Sequence, residues 1–154
     1  MPLPTRRLGR SGPEITRLGF GSWAVGGAGW ASSWGAQDDT QSVAAMRHAV
    51  ERGVSWIDTA AIYGHGHSEE LVGRLLRELP RAERPLVFTK CGLRWDEHDV
   101  EYQSLQPASI REDLSDDRMV VERRGHPDRD RCLHGRRFGG CRMAFVRATG
   151  RRGR

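Results

Sequence analysis

The chain has 154 residues, enough for one domain with a buried core, and carries 25 basic against 20 acidic side chains. That excess is uneven: residues 1–110 hold 12 basic and 13 acidic groups, whereas residues 111–154 hold 13 and 7. No apolar run reaches membrane-spanning length, no signal-type apolar stretch follows Met1 to Arg7, and Cys91, Cys132 and Cys141 lack disulfide-framework spacing, so a reduced, cytoplasmic setting without membrane insertion is expected.

Residues 5–20 read as two short extended segments about a turn at Arg10-Ser-Gly-Pro13, a small hairpin lid. A first core strand is expected over Leu18-Gly-Phe-Gly-Ser-Trp-Ala-Val25, whose glycines allow a backbone or ligand to come close. Gly26 to Gly35, with Trp30 and Trp34, reads as a flexible aromatic loop that either lines a substrate pocket or packs over an open end of the core. Asp38, Asp39 and Thr40 are cap candidates for a helix through Arg52, with Val43, Met46 and Val50 on one face and Gly53 as terminator.

An apolar strand then leads to Asp58, a loop carries Tyr63, Gly64 and Gly66, and Ser68 is a candidate cap of a second helix whose Glu69 and Glu70 suit its positive end. Leu71, Leu75, Leu76 and Leu79 form its apolar stripe, and Pro80 stops it. A third strand, Leu86 to Gly92, carries Lys90 at its end; residues 95–106 read as a polar connection, and another helix begins at Gln106-Pro-Ala-Ser109. Repeated strand–helix units at this spacing indicate an α/β protein with a parallel sheet and about three βα units. Beyond residue 117 arginine, glycine, aspartate and histidine dominate, so residues 1–117 are expected to form the folded portion and 118–154 an irregular, Arg-rich tail.

Asp58 and Lys90 end successive strands and Tyr63 lies in the loop after Asp58, so all three should project from one end of the sheet. Such a trio has a use in proton transfer: an ammonium favours a phenolate beside it, and a carboxylate holds the ammonium in place. Lys90 is the chain's one lysine among 25 basic residues, at a position where a compact ammonium is not equivalent to a guanidinium.

These residues resemble the NADP(H)-dependent aldo-keto reductases, in particular their bacterial general-stress-type group. The resemblance rests on Arg7-Leu-Gly-Arg-Ser-Gly12, Leu18-Gly-Phe-Gly-Ser-Trp23, Trp34-Gly-Ala-Gln-Asp-Asp39, the stretch from Asp58 to Gly73, and Phe88-Thr-Lys-Cys-Gly92. It implies the N-terminal part of a (β/α)₈ barrel, incomplete here, that reduces an aldehyde or ketone with NADP(H). It also implies catalytic roles for Tyr63 as proton donor, Lys90 as the group tuning it and Asp58 as the partner of Lys90. Gly21, Ser22 and Trp23 correspond to positions beside the nicotinamide, and Asp58 is counted with them.

The family's fourth catalytic residue, a histidine in a Tyr-x-x-His-Trp-Pro segment, has no counterpart, and neither His126 nor His134 takes its role. The change in charge and periodicity between about Ser109 and Arg118 is read as a truncation or lost reading frame, which makes an inactive remnant the alternative to an active reductase. Two other readings concern the tail. His126, Cys132, His134 and Cys141 match no common zinc spacing, so no metal is expected, and the 13 arginines support at most nonspecific nucleic-acid affinity. The expected partner is a small carbonyl substrate.

Overall fold

A computed structural model describes residues 2–115, 137–138 and 141–146. Strands β1 (Thr5–Arg7) and β2 (Glu14–Thr16) form the expected hairpin, in antiparallel register from Thr5↔Thr16 to Arg7↔Glu14. It is fastened to the start of the main sheet: the Thr16 amide donates to Ser55 Oγ at 2.8 Å and the Trp56 indole to the Thr16 carbonyl at 2.9 Å. The hairpin therefore closes the end of the sheet opposite Asp58.

The first core strand is much shorter than expected, with β3 covering only Phe20–Gly21 before the chain turns through a single 3₁₀ turn at Ala24–Gly26. β4 (Trp56–Asp58) and β5 (Leu86–Cys91) complete a parallel set in which Gly21 lies beside Asp58, and Asp58 beside Phe88. Side chains alternate across this sheet. Ile57, Val87, Thr89 and Cys91 are buried on the helix side, while Trp56, Asp58, Phe88 and Lys90 share the other, half-buried face. Gly19 is needed beneath Trp56, because a Cβ there would stand 2.2 Å from the indole ring.

Helix α1 (Asp39–Glu51) begins as its sequence implies, with the Asp38 carboxylate accepting the Gln41 amide at 2.7 Å, and ends at Gly53, whose φ of +93° suits glycine. Helix α2 (His67–Glu78) packs against it, and Arg47 pairs with Glu78 across the two. Met46 of α1 and Val72 and Leu75 of α2 are completely buried with Ile57 of β4, forming a core between the helices and one sheet face.

The polar connection expected over residues 95–106 is in part a second hairpin, β6 (Leu93–Trp95) with β7 (Glu101–Gln103). Its turn is organised by Asp96, whose carboxylate accepts the amides of His98 and Val100, each at 2.9 Å, a local side-chain device that hydrophobic periodicity does not register. Helix α3 (Pro107–Ser115) follows, with proline at its first position. Arg94 ties β6 to α3 through Glu112 at 2.7 Å and Asp113 at 3.5 Å. Its guanidinium is held above its ordinary range, first by the hydrogen bond to Glu112, against the opposing effect of burial, and with help from the Asp113 charge.

Two further strands lie inside the stretch expected to be irregular. β8 (Arg137–Phe138) and β9 (Cys141–Val146) form a hairpin, and β9 adds antiparallel to the free edge of β5, from Val87↔Val146 to Cys91↔Arg142. The sheet order is β3-β4-β5-β9-β8. The sequence carries the hairpin dipeptide Gly139-Gly140 between the strands, and the addition pairs an edge that would otherwise expose a row of unsatisfied backbone groups. It is a hairpin and not another βα unit. His126, Cys132 and His134, weighed for zinc, lie outside the described residues.

Candidate active site

Asp58 closes β4, and Lys90, two positions beyond its neighbour Phe88 on β5, therefore emerges on the same face. An ammonium has three N–H donors, and here each finds an acceptor: Asp58 Oδ2 at 2.6 Å, the Thr59 carbonyl at 3.0 Å and Tyr63 Oη at 3.1 Å. The lysine and aspartate side chains are 19% and 28% exposed, so the pair is sheltered yet reachable. All three expected catalytic residues are thus brought together by the parallel register. Because lysine only donates, the phenolic oxygen accepts from it, and that bond leaves the phenol's own proton unused.

The tyrosine ring is also packed from the side. Trp23 stacks on it with centroids 5.9 Å apart at 14°, and Trp30 tilts against it at 5.7 Å. Trp34 continues the aromatic group from Trp23 at 6.4 Å. The tryptophan loop and the tyrosine loop meet at two glycines: a Cβ on Gly64 would lie 2.0 Å from the Gly26 carbonyl oxygen, and Gly64 has a φ of +63°.

Beneath the trio is a buried polar chain that the sequence reading missed. Ser68 does not cap α2; Gly66 occupies that position in the left-handed region, and Ser68 is completely buried. Ser68 Oγ lies 2.9 Å from the Ser22 carbonyl, 2.8 Å from Ser22 Oγ and 3.2 Å from Thr59 Oγ1. The Ser22 hydroxyl in turn donates to the Asp58 carbonyl at 3.0 Å, and its amide donates to the same oxygen at 2.8 Å. Glu69 does not project to solvent at the helix start either; it is buried, accepting from Thr89 Oγ1 at 2.5 Å. A Ser-Glu pair just after a glycine loop looks like a cap in sequence, and only the approach of β3 and β5 turns it inward.

His65 and His67 bond elsewhere. His65 faces Asp99 and Glu101, and His67 meets Asp39 at 2.8 Å. Among the described residues no group of His, Cys, Asp and Glu is arranged to hold a metal, and no helix is long and apolar enough to cross a membrane.

A model of the Aldo/keto reductase family matches residues 17–120. The chain belongs to that family. It is 37% identical over 90 residues to the aldo-keto reductase YhdN of Bacillus subtilis (strain 168), covering 58% of this chain and 26% of that protein. It is 36% identical over 118 residues to the NADH-specific methylglyoxal reductase of Escherichia coli (strain K12), covering 70% of this chain and 35% of that one. Among solved structures, the glycerol dehydrogenase AKR11B4 from Gluconobacter oxydans aligns with a TM-score of 0.63 and 38% identity over 75% of this chain and 35% of its own. The chain thus corresponds to the N-terminal portion, about a quarter to a third, of these aldo-keto reductases.

The residues that the resemblance places beside a nicotinamide divide into two kinds. Gly21 lies next to Asp58 with nothing within 4 Å of where a Cβ would be, so the backbone there is open, and Trp23 is 44% exposed above Tyr63. Ser22 is completely buried, with its hydroxyl committed to Asp58 and Ser68. The backbone at Gly21 and the ring of Trp23 are therefore reachable from outside, whereas the Ser22 side chain is turned into the protein.

Proposed function

We propose that the chain carries the proton-transfer site of a nicotinamide-dependent carbonyl reductase, with NADP(H) as cofactor and a small aldehyde or ketone as substrate. The cofactor, when bound, supplies hydride; Gly21 and Trp23 would flank its nicotinamide end, and Asp58 lies at the same edge. Tyr63 donates its proton to the carbonyl oxygen. Lys90 places positive charge against the tyrosine oxygen as that proton leaves, and Asp58 with the Thr59 carbonyl holds the ammonium at the right height. The observation that carries this reading is the full use of the Lys90 donors, which leaves the tyrosine proton as the one available to a substrate. Relatives named as a methylglyoxal reductase and a glycerol dehydrogenase support a small, oxygenated substrate, and the NADH-specific one makes both cofactors necessary arms of the test.

Turnover of methylglyoxal and of a simple aldehyde is to be followed with NADPH and with NADH. Tyr63→Phe is expected to lower kcat about 10²–10⁴-fold, the range of a positioned general acid, with little change in cofactor binding. A Tyr63→Phe variant as fast as the parent overturns the assignment. Absence of both turnover and any change in NADPH fluorescence with the folded chain favours the alternative, a reductase portion inactive by itself.

A further inference from the structure

Beside the proton-transfer site lies a second cluster that takes no part in it. His65, in the tyrosine loop, stacks flat on Trp95 of β6, with centroids 4.9 Å apart at 11°. Its Nδ1 is 3.2 Å from Asp99 Oδ1 and its Nε2 3.4 Å from Glu101 Oε1. Both His65 and Asp99 hold positive φ, +50° and +60°, a region that histidine and aspartate enter more readily than most residues other than glycine. The same Glu101 Oε1 accepts the backbone amide of Ala31 at 2.9 Å, 70 residues earlier in the chain. Ala31 directly follows Trp30, which packs on the Tyr63 ring and is only 9% exposed although its loop is mostly open.

We propose that Glu101 is a positioning residue for the substrate side of the site: its carboxylate anchors the tryptophan loop through Ala31, and His65, braced on Trp95, holds that carboxylate in place. Three segments far apart in sequence thus meet at one oxygen, which sets how closely Trp30 lies on Tyr63 and so the width available to a substrate beside the phenol. The kinetic consequence rests on the reductase reading given above; the anchoring does not. Glutamine keeps an acceptor oxygen at this position and alanine does not, so the two substitutions separate hydrogen bonding from mere space filling.

Two measurements need no activity. In the unmodified chain the Ala31 amide should exchange with solvent at least about tenfold more slowly than its loop neighbours Gly29 and Ser32, since its donor is engaged. In Glu101→Ala that protection should be lost and acrylamide quenching of Trp30, isolated by difference from a Trp30→Phe background, should rise about twofold or more; Glu101→Gln should retain most of both. Free exchange at Ala31 in the parent, or unchanged Trp30 quenching in Glu101→Ala, overturns the proposal, and the first holds even if the alanine variant folds poorly. Where the chain turns over, KM should rise roughly three- to tenfold in Glu101→Ala with kcat within about twofold, the signature of lost ground-state positioning. A fall in kcat with KM unchanged overturns the positioning role, whereas a parent that neither turns over nor changes NADPH fluorescence favours the inactive reductase portion and leaves the exchange and quenching results to decide the anchor.

Discussion

The floor and the rim of the site are built in opposite ways. Below Lys90, Ser22, Thr59 and Ser68 are completely buried and joined oxygen to oxygen, so the carbonyls of Asp58 and Thr59 are fixed from behind. Above Tyr63, Trp23 is 44% and Trp34 75% exposed; the rings meet at about 6 Å, and their loop is tied at single points, among them the Trp23 indole to the Ser32 carbonyl, the Trp30 indole to the Gly27 carbonyl and the Ala31 amide to Glu101. The floor is rigid because each buried hydroxyl left without a partner is costly, whereas aromatic contacts at the surface each contribute little and can be exchanged. Under the proposed function, proton transfer and substrate choice would then be separable: changes to the floor should alter folding and rate together, and changes to the rim should alter substrate affinity alone.

The deepest break in that contrast is expected at the layer under the floor. Leu75, completely buried where α2 meets the sheet, fills the core on which the Ser68 turn rests. Leu75→Ala should cost about 2–5 kcal/mol, depending on how far the cavity collapses, read as a fall in the urea midpoint with little change in slope. Loss below about 1 kcal/mol would mean that the helix is not packed as described. One step up, Ser68→Ala removes the group shared by Ser22 and Thr59. It should cost about 1–3 kcal/mol, the penalty of leaving buried hydroxyls unpaired, and lower kcat in any preparation that turns over. A stable Ser68→Ala chain with full activity would show that the floor is filler rather than support.

Most of the site's outline was legible in the sequence, because it depends on local rules. Asp58, Tyr63 and Lys90 are related by strand ends and a two-residue period, and Asp38 and Gly53 mark the ends of α1 by residue type. What was not legible depends on pairs distant in the chain. Ser68 and Glu69 have the residue types of a helix start, and turn inward only because Ser22, just past β3, and Thr89 on β5 arrive with matching groups. The first strand was expected to run from Leu18 to Val25, yet Leu18 is 67% exposed and pairing stops at Gly21 where the chain turns to bring Trp23 over Tyr63. The β6–β7 hairpin escaped notice for a third reason: its turn is held by one aspartate, and its strands are too short for a period to show.

The smallest expected effect sharpens the contrast most, since it asks the rim to do nothing for stability. Trp34 is the most exposed large apolar side chain at the site and touches the aromatic group only through Trp23. Trp34→Ala should leave the urea midpoint within about 0.5 kcal/mol of the parent, because little apolar area is lost from the core. Its effect should appear instead as a change of KM between flat aromatic aldehydes and small aliphatic ones, with kcat for both retained. If Trp34→Ala destabilised the chain by more than about 1 kcal/mol, the rim would be part of the fold's support, and the separation of a fixed floor from an adjustable rim would fail at the residue where it should be clearest.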